Sequence, residues 1–369
     1  MKRDGPPCWK LNWDETRRHF IDWWQHRGLV LGMWGAPQAA VPHANLPSPG
    51  LPPLVEAYTD VALRVRLNEY ALSRHDYPAD CLPLASADMG PGSLCLYVGS
   101  EPEFTPETVW FHPSMHQVAE PENLPPLRFD SENRWWRVTE ATLRAQVANA
   151  DGRYFASCPD LAENLDILAA LRDSQTVMVD MVERPEWVRR KLAEINQVFF
   201  DAYQRIYDII SLPDGSSCFG AFALWGPGKT AKVQCDAAAM ISPDMFAEFV
   251  VPPLAEQCAW LDHSMFHLDG TQCLDKLDLL LEIEALDAIE WTPQAGIEQG
   301  GSPRWYPLYR RILEAGKSVQ VVSVRPAEIV PLLDAIGGKG VYIMTEFRDY
   351  AHAEEVHSAV RKFGEGTAG

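Results

Sequence analysis

The sequence has no long run of basic residues, and positive charge is scarce along its 369 positions: 32 lysines and arginines against 51 aspartates and glutamates, a formal net charge of -19. A chain this acidic gains nothing from neutralising a phosphate backbone, which argues against nucleic acid as a partner. No apolar stretch reaches the ~18 residues that a membrane-crossing helix needs. The opening residues, MKRDGPPCWKLNWDETRRHF, are charged and aromatic and contain no apolar signal core, so a cytoplasmic protein without membrane contact is expected. None of the eight cysteines (Cys8, Cys81, Cys95, Cys158, Cys218, Cys235, Cys258, Cys273) forms a C-x-x-C pair, which removes zinc ribbons and thioredoxin-type redox motifs. Most sit inside apolar runs and are expected to be reduced core thiols. No internal repeat is visible.

What the chain does have is enough apolar residue, 47%, to fill a large core. It also has thirteen tryptophans, many in the first 140 residues. They suit packing first, and stacking on sugars or flat ligands second. Residues 1–75 read as a helical, loop-rich extension: a helix over Asp14–His26, a Pro/Gly-rich loop over Pro37–Pro53, and a helix over Val55–Leu72. From about residue 80, short β-rich runs alternate with helical ones. The expected strands are Cys81–Ala85, Tyr154–Cys158, Thr176–Val179, Cys218–Leu224, Ser264–Leu268, Ala288–Thr292, Ser318–Ser323 and Val341–Thr345. Ser242 and Pro243 mark a helix start between the fourth and fifth. Such alternation implies parallel strands joined by crossover helices. Eight units predict an α/β fold, a closed (β/α)8 barrel over residues 76–369, with an insertion at 90–133 folding over the mouth as a lid. A doubly wound sheet fits less well, because no glycine-rich dinucleotide turn follows the first strand.

In a barrel the active site lies at the carboxyl ends of the strands. The strand assignment therefore yields the candidates. Asp88, Asp180 and His267 are expected to be catalytic, and Asp160, Trp225, Trp291 and Gln294 to bind substrate. His267 and Asp269, two apart on one strand, point to the same side. With Glu346 from the last strand they form a candidate divalent-metal set, suited to zinc or a harder ion. Cys273, four residues past Asp269, is the rival ligand. The carboxyls Asp88, Asp160, Asp180 and Glu346 are also candidates for general acid–base work, one buried and protonated while another stays ionised. The stretch Trp225-Gly226-Pro227-Gly228-Lys229-Thr230 looks like the end of a phosphate-binding loop, but Ala223 stands where that motif needs its first glycine.

The stretch Asp236–Gly296, with ISPDMFAEFVVPPL, FHLDG and AIEWTPQAG, resembles uroporphyrinogen decarboxylase and its relatives, the cobalamin-dependent and coenzyme M methyltransferases. The likeness covers about residues 150–350 and extends back to YPADCLPLASADMG. It implies a (β/α) barrel. Asp88 lies where the decarboxylases carry their essential aspartate, although their RQAGRY segment is missing. Against the zinc methyltransferases, His267 matches the histidine, Asp269 stands in place of the first cysteine, and Glu346 lies near the second. Three readings follow. One is a methyltransferase acting on a small methylated substrate, with zinc or another divalent ion and a separate corrinoid protein as partner. Another is a metal-free decarboxylase using Asp88. The last is a barrel that binds a sugar or aromatic ligand on its tryptophans.

Overall fold

The computed structural model describes residues 7–364. Its centre is a six-stranded, wholly parallel sheet in the order β1, β12, β11, β10, β9, β8. These strands are β1 (Leu29–Gly32), β8 (Thr230–Gln234), β9 (His263–Asp269), β10 (Ala288–Thr292), β11 (Ser318–Val321) and β12 (Val341–Met344). Three small pairings lie outside it: β2 (Leu84–Ala85) parallel to β5 (Phe155–Ala156), the hairpin β3–β4 (Glu101–Phe104, Val109–His112), and the antiparallel pair β6–β7 (Ser217–Phe219, Leu224–Gly226). A single parallel bridge, Cys158 to Phe219, links the end of β5 to β6. No described helix is long and apolar enough to cross a membrane.

Register separates the sheet into two chemically different faces, because neighbours in a parallel ladder point the same way and successive residues point opposite ways. One face carries Leu29, Leu31, Val233, Phe266, Leu268, Ile289, Trp291, Val319, Val321, Val341 and Ile343, all buried. The outer helices cover it. The other carries Lys232, Gln234, His267, Asp269, Glu290, Thr292, Gln320 and Tyr342. Burying that many polar groups is costly unless they bond one another, so this face is where function is to be sought.

Both sheet edges are closed by carboxylates. Asp80 takes the place of a strand beside β1: its amide donates to Leu31 O (2.8 Å) and its carboxylate accepts from Leu31 N (2.8 Å). At the other edge, Glu163 accepts from the Gln234 amide of β8. Each satisfies a backbone donor that an edge would otherwise leave open.

The structure departs from the sequence expectations in four places. Thr176–Val179 is no strand; it lies in a helix, Ser174–Glu183, capped by Asp173 accepting from Thr176 N (3.0 Å). Its buried positions, Val177, Asp180 and Met181, follow helical spacing. Cys218–Leu224 is not one strand but two antiparallel ones, β6 and β7, with Ala221–Ala223 between them. The parallel strand of this region is β8, just beyond. The first 75 residues do not all pack outside the sheet, since they supply β1, which pairs with β12. The segment expected as a lid begins at the mouth, where Gly92 N and Ser93 N donate to Asp160 O. Its remainder is anchored along the helices Asn164–Arg172 and Pro185–Ile210, through Arg172 to Met115 O (2.6 Å), Trp187 to Pro121 O (3.0 Å) and Leu127 N to Glu194 (2.8 Å).

The first helix, Trp13–Trp24, buries Trp13, Thr16, Phe20, Trp23 and Trp24 on one stripe. Phe20 and Trp23 pack edge-on against Tyr342, and Trp24 stacks on His263, the first residue of β9. This helix therefore covers the amino-terminal end of the polar face and leaves the carboxyl-terminal end to the site.

Candidate metal centre

A connected polar network runs along the polar face at the carboxyl ends of the strands. It starts at Asp88, whose carboxylate accepts from Ser86 Oγ and from the Asp160 amide (2.5 Å). Burial raises the Asp88 pKa, and the Asp160 charge adds to it. Arg64, buried, donates to Asp88 O and Ser86 O and so holds the backbone of this turn. Asp160 pairs with Lys232 Nζ (2.8 Å). The Lys232 side chain is 1% exposed. Burial alone disfavours its charge, but Asp160 and Glu163 outweigh that and its pKa ends above the usual value. Lys232 also donates to Gln234 Oε1. Gln234 Nε2 donates to Asp166 and Asp236 (both 3.1 Å). Asp166 fixes the turn after β8 by accepting from Asp236 N (2.8 Å) and Ala237 N (2.9 Å).

At the carboxyl ends of β8 and β9, Asp236, His267 and Asp269 bring one donor atom each within 4.8 Å of one another. Asp269 and His267 are two apart on β9, and Asp236 follows β8, the neighbouring strand, so register alone assembles the set. Asp236 is partly open to solvent but crowded by protein and by Asp166, and its pKa is pushed up to about 6. His267 is oriented from behind: Nδ1 bonds the carboxylate of Glu290, a residue with no exposed surface. Thr292 Oγ1 holds the other Glu290 oxygen at 2.7 Å. Burial opposes the imidazolium, but Glu290 outweighs it and raises the His267 pKa. With Nδ1 engaged, Nε2 is the nitrogen left for a ligand.

The donor set fits a divalent cation of intermediate hardness, one imidazole and two carboxylates with room for further ligands. A tetrahedral ion with bonds of about 2.1 Å holds its donors about 3.4 Å apart. The three donors, all within 4.8 Å of one another, are close enough to share one such ion.

The remaining expected site residues scatter. Gln294 lies near the centre and braces it: it accepts from Thr271 N (2.9 Å) and donates to Thr271 Oγ1 (2.8 Å), tying the turn after β9 to that after β10. Asp180 does not reach the mouth. It is locked between helices by Arg172 (2.8 Å) and Arg184 (2.9 Å). Trp291 points to the apolar face against Trp305 (5.0 Å), because it is one residue out of phase with Glu290. Trp225 lies at the opposite end of the strands, since β7 doubles back; its carbonyl accepts from Trp24 Nε1 (2.9 Å), and Trp13 packs on it at 5.3 Å. Glu346 is exposed beyond β12 and is not part of the three-residue cluster. Nor is Cys273, which is buried, its thiol pushed up to about 11 by that burial. The other thiols are unpaired too. The loop after Gly226 is the turn from β7 to β8, with Lys229 over the Trp260 ring, and not a phosphate cradle.

The sequence reading missed Lys232, Gln234, Asp236, Glu163, Asp166 and Glu290. A signal was present for two strands: Thr230–Gln234 carries Thr230, Lys232 and Gln234, and Ala288–Thr292 carries Glu290 and Thr292, polar residues with a period of two inside an apolar setting, which marks a polar inner face.

No protein-family model matches the chain, and no curated protein is significantly similar to it.

Proposed function

We propose that the protein is a metal-dependent enzyme built on a closed (β/α)8 barrel, with Asp236, His267 and Asp269 as metal ligands. The reaction proposed is methyl transfer from a small methylated substrate, with a separate corrinoid protein as partner. The observation that carries the metal reading is the convergence of three donors from adjacent parallel strands, one of them oriented by a buried carboxylate. That supporting carboxylate is the usual device for fixing the tautomer and basicity of a ligating histidine.

Support for the barrel comes from the gap between β1 and β8. Asp80, the β2–β5 pair, the Cys158–Phe219 bridge and Glu163 span it in that order. The methyltransferase class is supported by resemblance: the stretch Asp236–Gly296 that looks like the uroporphyrinogen decarboxylase superfamily is also the stretch that supplies all three ligands and Glu290. When bound, a divalent ion supplies Lewis-acid activation of a coordinated group. The chain's own residues do the rest. Glu290 holds His267 in place, Lys232 and Asp166 hold Gln234 and the Asp236 turn, and Gln294 braces the turn beside Asp269.

A metal-free decarboxylase using Asp88 has one observation in its favour, the raised pKa of that carboxyl. Both Asp88 oxygens are already engaged by Ser86 and Asp160, which leaves it better placed to fix the turn than to meet a substrate. Chelation separates the two: the metal reading expects the purified protein to lose its ion and with it any methyl-transfer activity, whereas a metal-free decarboxylase keeps its activity.

A further inference from the structure

A cavity of about 340 Å³ opens beside β1, at the end of the strands opposite the metal ligands, between the first helix, Trp13–Trp24, and the last, Tyr350–Gly364. The edge of β1 gives it a backbone donor. Gly28 O and Gly32 O accept from Gly340 N and Thr345 N (both 2.9 Å) on the β12 side, so the alternate residues Leu29 and Leu31 turn to the other edge. Leu31 N is taken there by Asp80, whereas the Leu29 amide opens on the cavity. The charges around the cavity do not cancel. Asp80 is answered by His19 (2.9 Å) and Asp22 by Arg27 (3.1 Å). Glu15 has only the neutral Asn12 (3.1 Å). Against it stand Arg18, exposed, whose guanidinium has no hydrogen bond or ion pair among the described residues, and Arg361, whose guanidinium reaches Glu354 only at 3.9 Å. Burial opposes the charge of His19, but Asp80 outweighs that and raises its pKa, so beside the Nδ1 that Asp80 holds, Nε2 is a second donor. His357, half-buried on the last helix, faces it with ring centroids 6.0 Å apart.

In a chain of net charge -19, the cavity is a local surplus of positive charge with an enclosed volume behind it. Its donors are two guanidiniums, an imidazole and a strand-edge amide. Guanidiniums on two facing helices suit a tetrahedral dianion, which offers oxygens to both at once, better than a carboxylate, which offers a single edge. There is also room for more than the anion: Glu15, His357 and Arg361 are shared with a second cavity of about 270 Å³, which has Leu11, Pro78 and Ala353 on its walls. We propose that the paired cavities bind a small phosphate monoester, its phosphate between Arg18 and Arg361 and its apolar body along the last helix. The site is separate from the metal centre and does not depend on the methyl-transfer reading.

The test is calorimetric titration of the purified protein, as isolated and after chelation, with phenyl phosphate and with benzoate. Phenyl phosphate is expected to bind once per chain in both preparations, about tenfold more tightly than benzoate. Arg18→Gln and Arg361→Gln should each weaken it about tenfold, and Glu15→Gln, which removes the opposing charge, should tighten it about threefold. Arg144→Gln, a change at another exposed arginine, on the helix Arg134–Ala150, should leave it unchanged. No binding, binding undiminished by both cavity-arginine changes, or benzoate held as tightly as phenyl phosphate would overturn the proposal. A phosphate held instead by an ion at Asp236, His267 and Asp269 would bind only before chelation, and that result would overturn it too.

Discussion

A side chain's role in this protein is set by which way its strand faces and which way its chain runs. Trp291 and Glu290 are neighbours in sequence, yet one packs against Trp305 and the other grips His267. The sequence showed the strand correctly but ranked the aromatic above the carboxylate. Trp225 failed for another reason: nothing local reveals that β7 runs back towards the amino end. His267 and Asp269 were legible because a two-residue spacing on a strand is a direct geometric statement. Asp236 was not, because its place depends on β8 lying beside β9. At this scale the account predicts a clear ranking of metal affinity, measured by competition with a chromogenic chelator. His267→Ala and Asp236→Asn should each weaken binding about 100-fold or more, and Glu290→Gln about 10- to 100-fold. Glu346→Gln and Cys273→Ala should change it by no more than about 2-fold.

Among the elements, the strands that read clearly were β9, through its Met265-Phe266 core, and the β-branched β10 to β12. The two at the edges were missed. β1 is four residues long and starts only a short turn after a helix that ends at Trp24, and β8 carries Lys232 and Gln234 on its polar face, which breaks the apolar run. Thr176–Val179 was misread because four β-branched or apolar residues in a row fit a strand, while Asp173 capping and the Val177, Asp180, Met181 spacing make it a helix. Asp180 then becomes a lock between elements. Asp180→Ala should leave buried Arg172 unpaired and cost about 3–5 kcal/mol of stability by denaturant unfolding, while protein that remains folded keeps its metal affinity.

Asp80 is the second such lock. It is 2% exposed and bonds both Leu31 N and His19 (2.8 and 2.9 Å). Burial disfavours both charges, but the pairing outweighs it: the His19 pKa is raised above 6.5 and that of Asp80 is lowered below 3.8. The His19 contribution is therefore complete below 6.5 and is lost as the pH rises through its raised value. That of Asp80 is complete above 3.8 and is lost as the pH falls through its lowered value. The pair stabilises β1 fully between those limits. Unfolding of Asp80→Asn should show a loss of about 3 kcal/mol that is largest near pH 5 and smaller at pH 8. A loss independent of pH would mean that the ion pair adds nothing beyond the hydrogen bond to Leu31.

Across the whole molecule, the α/β class and the parallel alternation were readable, because crossover helices and apolar strands leave strong periodic signals. The pieces lying between β1 and β8 were not, since they are two-residue strands, one bridge and two carboxylates far apart in sequence. The same holds for the site, a network from Asp88 to Thr292 that draws on five stretches of chain. Its central claim is a metal held by Asp236, His267 and Asp269, and the most direct test is elemental analysis after reloading with zinc or cobalt and exhaustive dialysis. The account predicts about one ion per chain in the wild type and in Glu346→Gln, and none in His267→Ala or Asp236→Asn proteins that remain folded. A wild-type chain without an ion, or a His267→Ala chain that retains one, would contradict it.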